Sequence, residues 1–380
     1  MKIVILGGDG YLGWATAMHL SARGHEVTVV DNYLRRRLSR ELDREALIPV
    51  PNLNQRVEIW RALGGREIAV RIGDITDYGF LKSVVTAAAP DGIIHYAEQP
   101  SAPYSMIDQQ HSALTVSNNL MATHNAVFAV RECAPACQIV KLGTMGEYGT
   151  PNIDIEEGYL TVEHKGRSHK FLYPKTPGSI YHLTKVQDSD LLYFAARVWD
   201  LAITDLNQGP VYGLETDEAR DDRLAPLFSY DDVFGTVLNR FVVQAVANVP
   251  LTVYGKGGQT RGYLNIRDTL QCVELALKAP AKRGEFRVFN QFTETFSVND
   301  LAEHVVRVAK NAGLRVEAKS IPNPRREAED HYYNPANTGL IDLGLKPNLL
   351  TDEVIAGMIA YVQRHSSRIR TDLMQPRVKW

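Results

Sequence analysis

A chain of 380 residues with 44% hydrophobic side chains can bury a sizeable core, so disorder is excluded and one large α/β domain or two unequal lobes are expected. The formal net charge is -2 and no basic block dominates, which argues against a nucleic-acid binder; the first apolar run, Ile3 to Leu6, is too short for a signal peptide or a membrane span. Cys133, Cys137 and Cys272 have no metal-ligand partners at the usual spacing and read as reduced thiols, so a cytoplasmic protein without a metal, a membrane anchor or organelle targeting is expected.

Apolar, β-branched runs at Ile3 to Leu6, Val27 to Val30, Ile68 to Ile72, Ile93 to His95 and Ile139 to Leu142 alternate with amphipathic stretches. That alternation predicts a parallel sheet with crossover helices, an α/β fold of the Rossmann-type doubly wound class. Tyr33 to Gly65 breaks the rhythm with polar, Pro-containing sequence and reads as an insertion between the second and third strands. Its cluster Arg35, Arg36 and Arg37 reads as a solvated loop beside the nucleotide pocket, from which a guanidinium could meet a phosphate or ribose. After about Val211 the pattern changes to a helix around Asp231 to Ala247, a strand at Leu251 to Tyr254 and shorter mixed elements. The expected division is 1–210 for a nucleotide-binding domain that carries the catalytic residues. Residues 211–380 mainly form a smaller substrate-binding lobe, with the chain crossing between the two.

Gly7, Gly10 and Gly13 follow the first strand at a G-x-x-G-x-x-G spacing and open a helix that includes Tyr11 and Leu12. Gly7 permits the tight turn, Gly10 lets backbone N–H groups approach a pyrophosphate, and Gly13 permits close helix packing. The second strand ends in Asp31, eighteen residues after Gly13, beside Asn32. A carboxylate there can bond both ribose hydroxyls and repels a 2′-phosphate, so NAD is favoured over NADP. Asp74 and Ile75 close the third strand within reach of the adenine, with a plain strand-end cap as the alternative for Asp74. Tyr181 and Lys185 stand at i and i+4 on one helix face, where the ammonium is expected to lower the phenol's pKa so that phenolate takes a hydroxyl proton. Thr144, after the fifth strand, is placed to bond the same substrate hydroxyl.

These motifs resemble those of the extended short-chain dehydrogenases over nearly the whole chain, and Asn119 resembles the helix asparagine that organises the cofactor site there. A narrower resemblance, to the UDP-sulfoquinovose synthases, rests on Ala97-Glu98-Gln99, Ser101 to Met106, Gly143 to Pro151, Asp205 to Gly209 and Val253 to Tyr263. It implies conversion of UDP-glucose and sulfite to UDP-sulfoquinovose through 4-keto and 4-keto-5,6-ene intermediates, with NAD recycled in the site. Sulfite arrives free or from a donating protein, and a homodimer is expected. Related 4,6-dehydratases carry Asp-Glu after the catalytic threonine, where this chain has Met145 and Gly146. Glu147 is then the candidate C5 base, with a raised pKa, or else a structural carboxylate. His182 either assists the leaving hydroxyl or the entering anion, or is structural. For the substrate, Gln99, Ser101, Asn207 and Gln208 are expected to border the sugar and diphosphate, Arg261 and Arg325 to hold the diphosphate, and Thr252 and Gln259 to approach the uridine. One position departs from the family pattern: Pro100 stands where an arginine is expected, leaving Arg35, Arg36 or His182 to handle an anion. A nucleotide-sugar 4-epimerase, a 5,6-dehydratase-like relative and, outside catalysis, an NAD-sensing regulator remain the alternatives.

Overall fold

The computed structural model describes residues 1–325 and 331–380. Its first five strands are β1 (Lys2–Leu6), β2 (Glu26–Asp31), β3 (Ile68–Ile72), β4 (Gly92–His95) and β5 (Gln138–Thr144). An antiparallel hairpin, β6 (Tyr159–His164) and β7 (Arg167–Leu172), precedes β8 (Ile203–Gln208). The remainder are β9 (Val211–Tyr212), β10 (Leu251–Tyr254), β11 (Thr260–Asn265), β12 (Phe286–Gln291), β13 (Glu294–Ser297) and β14 (Ala318–Ile321). Seven of them form one parallel sheet in the order β12-β8-β5-β4-β1-β2-β3.

Each apolar run named from the sequence lies in this sheet, because a parallel strand covered by helices on both faces must be apolar on both. β4 and β8 are buried along their full length. One face packs on helices Tyr11–Ala22 and Ile266–Lys278 through Trp14, Met18 and Val273, and the other on Gln109–Cys133 and Ile180–Trp199 through Ala126, Val130 and Leu192. Strand order reverses between β1 and β4, and at that point the carboxyl ends of the strands open a crevice. Helices Val237–Val246, Val298–Asn311 and Asp352–Arg364 enclose a separate core around Phe241, Val305 and Ile359, with β9, β10, β11, β13 and β14 at its edge. β12 and helix Ile266–Lys278 return from this half of the chain to the main sheet.

Two local expectations change. Arg35 to Arg37 lie on helix Leu34–Glu41 and not in a solvated loop, because Arg36 is recruited inward: its guanidinium meets Asp9 at 2.6 and 2.7 Å and donates to the carbonyls of Val50 and Pro51. A second inserted helix, Leu53–Ala62, starts with a capping box between Asn52 and Gln55. The helix expected from Asp231 begins only at Val237, since the Asp231 carboxylate accepts from the amides of Val233 and Phe234 and holds that segment in a turn. Among the described residues no helix is long and apolar enough to cross a membrane, and no cluster of potential metal ligands occurs.

The nucleotide turn is tight. Gly7 has φ +88°, and a Cβ on Gly13 would stand 2.0 Å from the Gly7 carbonyl oxygen. Gly13→Ala is expected to lower stability by about 1–3 kcal/mol through overpacking and to weaken NAD binding; urea unfolding and a cofactor titration check both, and an unchanged unfolding midpoint would contradict the close contact.

Candidate active site

A single cavity of about 840 Å³ spans the crevice from the glycine turn to the second lobe. At one end it is lined by Gly7, Gly10, Tyr11, Leu12 and Gly13, and beside them by Asp31, Asn32, Asp74 and Ile75. β2 delivers Asp31 at its last residue, where the carboxylate accepts from the amides of Asp9 (2.8 Å) and Tyr33 (2.6 Å). Burial, reinforced by the charge of Asp9, pushes its pKa up to about 6. Asn32 donates to Asp74 at 2.9 Å, and Thr76 donates to Asp74 from its amide and its hydroxyl, so these groups form one rigid wall. Arg35 lines the cavity too, stacked 3.5 Å from the centre of the Phe234 ring and donating to Ser229 at 2.7 Å. This cradle fits a dinucleotide: a side chain at Gly7 would meet the backbone of Ala97 at 2.8 Å, and the carboxylate that would receive ribose hydroxyls faces the same space.

At the other end, Thr144 closes β5, while Tyr181 and His182 open helix Ile180–Trp199, and all three line the cavity. Ser179 caps that helix by accepting from the His182 amide, and the Tyr181 amide donates to Ser105 at 3.0 Å, so two neighbouring segments fix the phenol's origin. Burial lowers His182 to about 4, aided by the charge of Arg325, which leaves a neutral imidazole on the wall.

The expected effect of Lys185 on the phenol is not found. Lys185 Nζ is 5.8 Å from the Tyr181 ring centre, donates to the Leu142 carbonyl at 2.6 Å and pairs with Glu98 Oε2 at 2.8 Å. Burial and then the Glu98 charge raise the Tyr181 pKa instead of lowering it. Glu147 is likewise displaced from its expected place. It lies behind the cavity wall, fully buried, held by Lys175 (2.5 Å), Ser189 (3.1 Å) and the Thr144 amide (3.2 Å). Burial alone would raise its pKa, but Lys175 and Lys141 outweigh that and keep it below the ordinary glutamate range. Glu147 thus braces the turn after β5 and does not face a substrate. Asn119 does not touch the cavity either: it clamps the Gln99 backbone from both sides and donates to Thr184 at 3.1 Å, organising the wall from behind.

Several expected substrate contacts are structural for a common reason: their side chains make hydrogen bonds inside the protein. Gln99 donates to Thr115 and the Ser101 carbonyl. Asn207 belongs to β8 and donates to Tyr148 at 2.8 Å in the core. Thr252 exchanges hydrogen bonds with Gln244. Ser101 borders the cavity, but its hydroxyl donates to Val233 and caps Tyr104. Gln208, Gln259, Arg261 and Arg325 do line the cavity; Arg261 stands 2.9 Å from His331, and Arg325 lies 5.2 Å from the centre of the Trp380 ring. Sequence reasoning passed over Glu98, although a carboxylate three residues beyond the buried strand β4 was a signal, and Trp380, whose indole donates to Gly178 at 3.2 Å across a distance in sequence that no local pattern reveals.

Residues 3–290 match the NAD dependent epimerase/dehydratase family. Among curated proteins, the chain is 51% identical to a chloroplastic UDP-sulfoquinovose synthase of Spinacia oleracea over all of its own length and 79% of the relative's, and 45% identical to a UDP-sulfoquinovose synthase of Sulfolobus acidocaldarius over 100% and 98%. Among solved structures, a UDP-glucose 4-epimerase of Thermotoga maritima with UDP-glucose aligns at TM-score 0.70 and 18% identity, covering 96% of this chain and 99% of the other. The Thermus thermophilus enzyme with NAD aligns at 0.66 and 22%, covering 95% and 98%; both likenesses concern the fold.

Because the ribose-facing carboxylate must be ionised to accept two hydroxyls well, NAD affinity is expected to hold above about pH 6 and to weaken as the pH falls through it, where Asp31 takes up a proton. A fluorescence titration across that range measures it, and Asp31→Asn should bind weakly without the step.

Proposed function

The chain belongs to the NAD-dependent epimerase/dehydratase family and, within it, to the UDP-sulfoquinovose synthases, and on that premise we propose how its residues divide the work. It is an NAD-dependent enzyme that modifies UDP-glucose. Sulfite, as the nucleophile that supplies the sulfur, is part of the proposal. The observation that carries the reading is the placement of Thr144, Tyr181 and His182 on one wall of the cavity whose other end is the Gly7 turn and Asp31.

When bound against that turn, NAD supplies the hydride acceptor at C4 and the hydride donor that restores it. Thr144 and Tyr181 hold the C4 hydroxyl, and Tyr181 takes its proton and later gives it back. The resulting ketone acidifies the C5 proton, so the C6 hydroxyl leaves as water and C6 becomes open to sulfur. With Glu147 tied to Lys175, His182 is the neutral base on this wall that can accept the C5 proton and pass it to the departing oxygen. Arg261 and Arg325 at the second-lobe end are suited to the diphosphate.

Incubated with UDP-glucose and NAD, the protein is expected to yield UDP-sulfoquinovose only when sulfite is added, read by mass spectrometry, and Tyr181→Phe should slow that conversion about 10²–10⁴-fold. UDP-glucose unchanged in mass but converted to a 4-epimer, detected by sugar analysis, would replace this reading with epimerisation.

We also propose a homodimer formed through helices Gln109–Cys133 and Ile180–Trp199. Its support is a row of apolar side chains left in solvent on that pair: Met121 and Phe194 are each 47% exposed and Val198 57%, joined by Val116 and Leu183. Phe194→Glu with Val198→Glu should convert a dimer to a monomer in sedimentation equilibrium; a monomeric parent protein would refute the assignment.

A further inference from the structure

Glu98 has no part in the roles described so far, yet it lines the cavity with a side chain only 2% exposed. Its Oε2 stands 2.8 Å from Lys185 Nζ, whose side chain is 4% exposed, and its Oε1 stands 3.8 Å from His95 Nε2. An ammonium so deeply buried needs an anion, since its desolvation is otherwise uncompensated. Two carboxylates compete for that place. Asp188, three residues along the same helix, faces Lys141 at 3.8 Å and is pushed well above the ordinary carboxylate range by burial and by the charge of Glu98. Burial acts on Glu98 too, but Lys185, Lys141 and His95 outweigh it and hold Glu98 below that range, so Glu98 is the ionised partner.

We propose that Glu98 is a positioning residue for oxidation at C4: its carboxylate holds the Lys185 ammonium 5.8 Å from the Tyr181 ring centre and, by its own charge beside that ring, governs how readily Tyr181 takes a proton. The proposal rests on Tyr181 being the base, as argued above. The charged and titratable groups around this centre come from several elements. They are His95 on β4, Lys141 on β5, Glu147 on the following turn, and His182 and Asp188 on the helix of Tyr181, with Arg261 and Arg325 facing His182 from the second lobe. After burial, the Glu98 charge is the leading influence that raises Tyr181, while Lys141 opposes it. Removing the Glu98 charge leaves Lys141 less opposed and favours phenolate.

The test uses the full chain with NAD and UDP-glucose in deuterated buffer without sulfite, following exchange of the C5 hydrogen, which requires C4 oxidation but no sulfur. Exchange should rise with pH as Tyr181 ionises. In Glu98→Gln the rising limb is expected about one pH unit lower. In Glu98→Asp, whose carboxylate is withdrawn by one methylene, it should move less in the same direction, which decides the matter should the glutamine variant not fold. In Asp188→Asn, which leaves the Glu98–Lys185 pair intact, the limb should move less than in Glu98→Gln. A limb unmoved or moved upward in the Glu98 variants, or displaced as far by Asp188→Asn as by Glu98→Gln, overturns the proposal, since a merely structural glutamate would lower the rate without moving the limb. Absence of exchange in the parent chain would instead overturn the Tyr181 reading beneath it.

Discussion

Beneath the catalytic wall lies a layer of charge that the rest of the site depends on. Lys141, fully buried on β5, stands 3.8 Å from Asp188 and donates to the Lys185 carbonyl at 3.3 Å; Ser189 joins Asp205 (2.6 Å) to Glu147, which Lys175 holds. Together with Glu98 and Lys185 these groups fasten helix Ile180–Trp199 to β4, β5 and β8. Buried ions rarely add net stability over an apolar core, but each one, once present, demands its partner in one geometry. The layer therefore works as a register device. It fixes where the helix carrying Tyr181 and His182 meets the strand ending in Thr144, and a slip would strand a charge in the core.

The cofactor end uses the same principle with a different element. Asp9, inside the glycine turn, is buried and paired with Arg36, and Arg56, with no exposed surface, stands 3.6 Å from it while donating to the Ala225 carbonyl at 2.9 Å. The inserted helices thereby connect the nucleotide turn to the segment that enters the second lobe. Arg35, from the same insertion, reaches Phe234 and Ser229 in that lobe. The cavity is thus bounded by an insertion that touches both halves of the protein, and the two ends of the site are mechanically joined by guanidinium contacts rather than by the sheet alone.

Chemical capacity follows from how these two charge systems treat the groups that face the cavity. Burial leaves His182 neutral and Tyr181 protonated in its resting surroundings, so His182 can accept a proton as it stands, whereas Tyr181 must first ionise to take one from a sugar hydroxyl. Glu147, which the residue order alone placed against the substrate, is instead ionised and braced by Lys175. Its carboxylate contributes by holding the Thr144 amide, which keeps the threonine hydroxyl at the cavity edge.

What the chain's residue order determined by itself was the periodic and the local. Apolar runs had to become buried parallel strands, the Gly7 to Gly13 spacing had to become a tight turn into a helix, and Asp31 had to end β2 at the nucleotide crevice; Tyr181 had to share a helix face with Lys185. The long strings shared with one enzyme family added its chemistry. What only the tertiary structure decided was which polar side chains face the cavity and which are consumed within the fold. Asn119, Gln99 and Asn207 find partners distant in sequence, Thr252 pairs with Gln244 across a turn, Glu98 captures Lys185, and Lys175 captures Glu147. The physical reason is that a carboxylate, amide or hydroxyl has the same appearance in sequence whether it is offered to a ligand or spent on a buried partner. Burial energetics assigns it to one or the other, and that assignment exists only once the chain has closed around it.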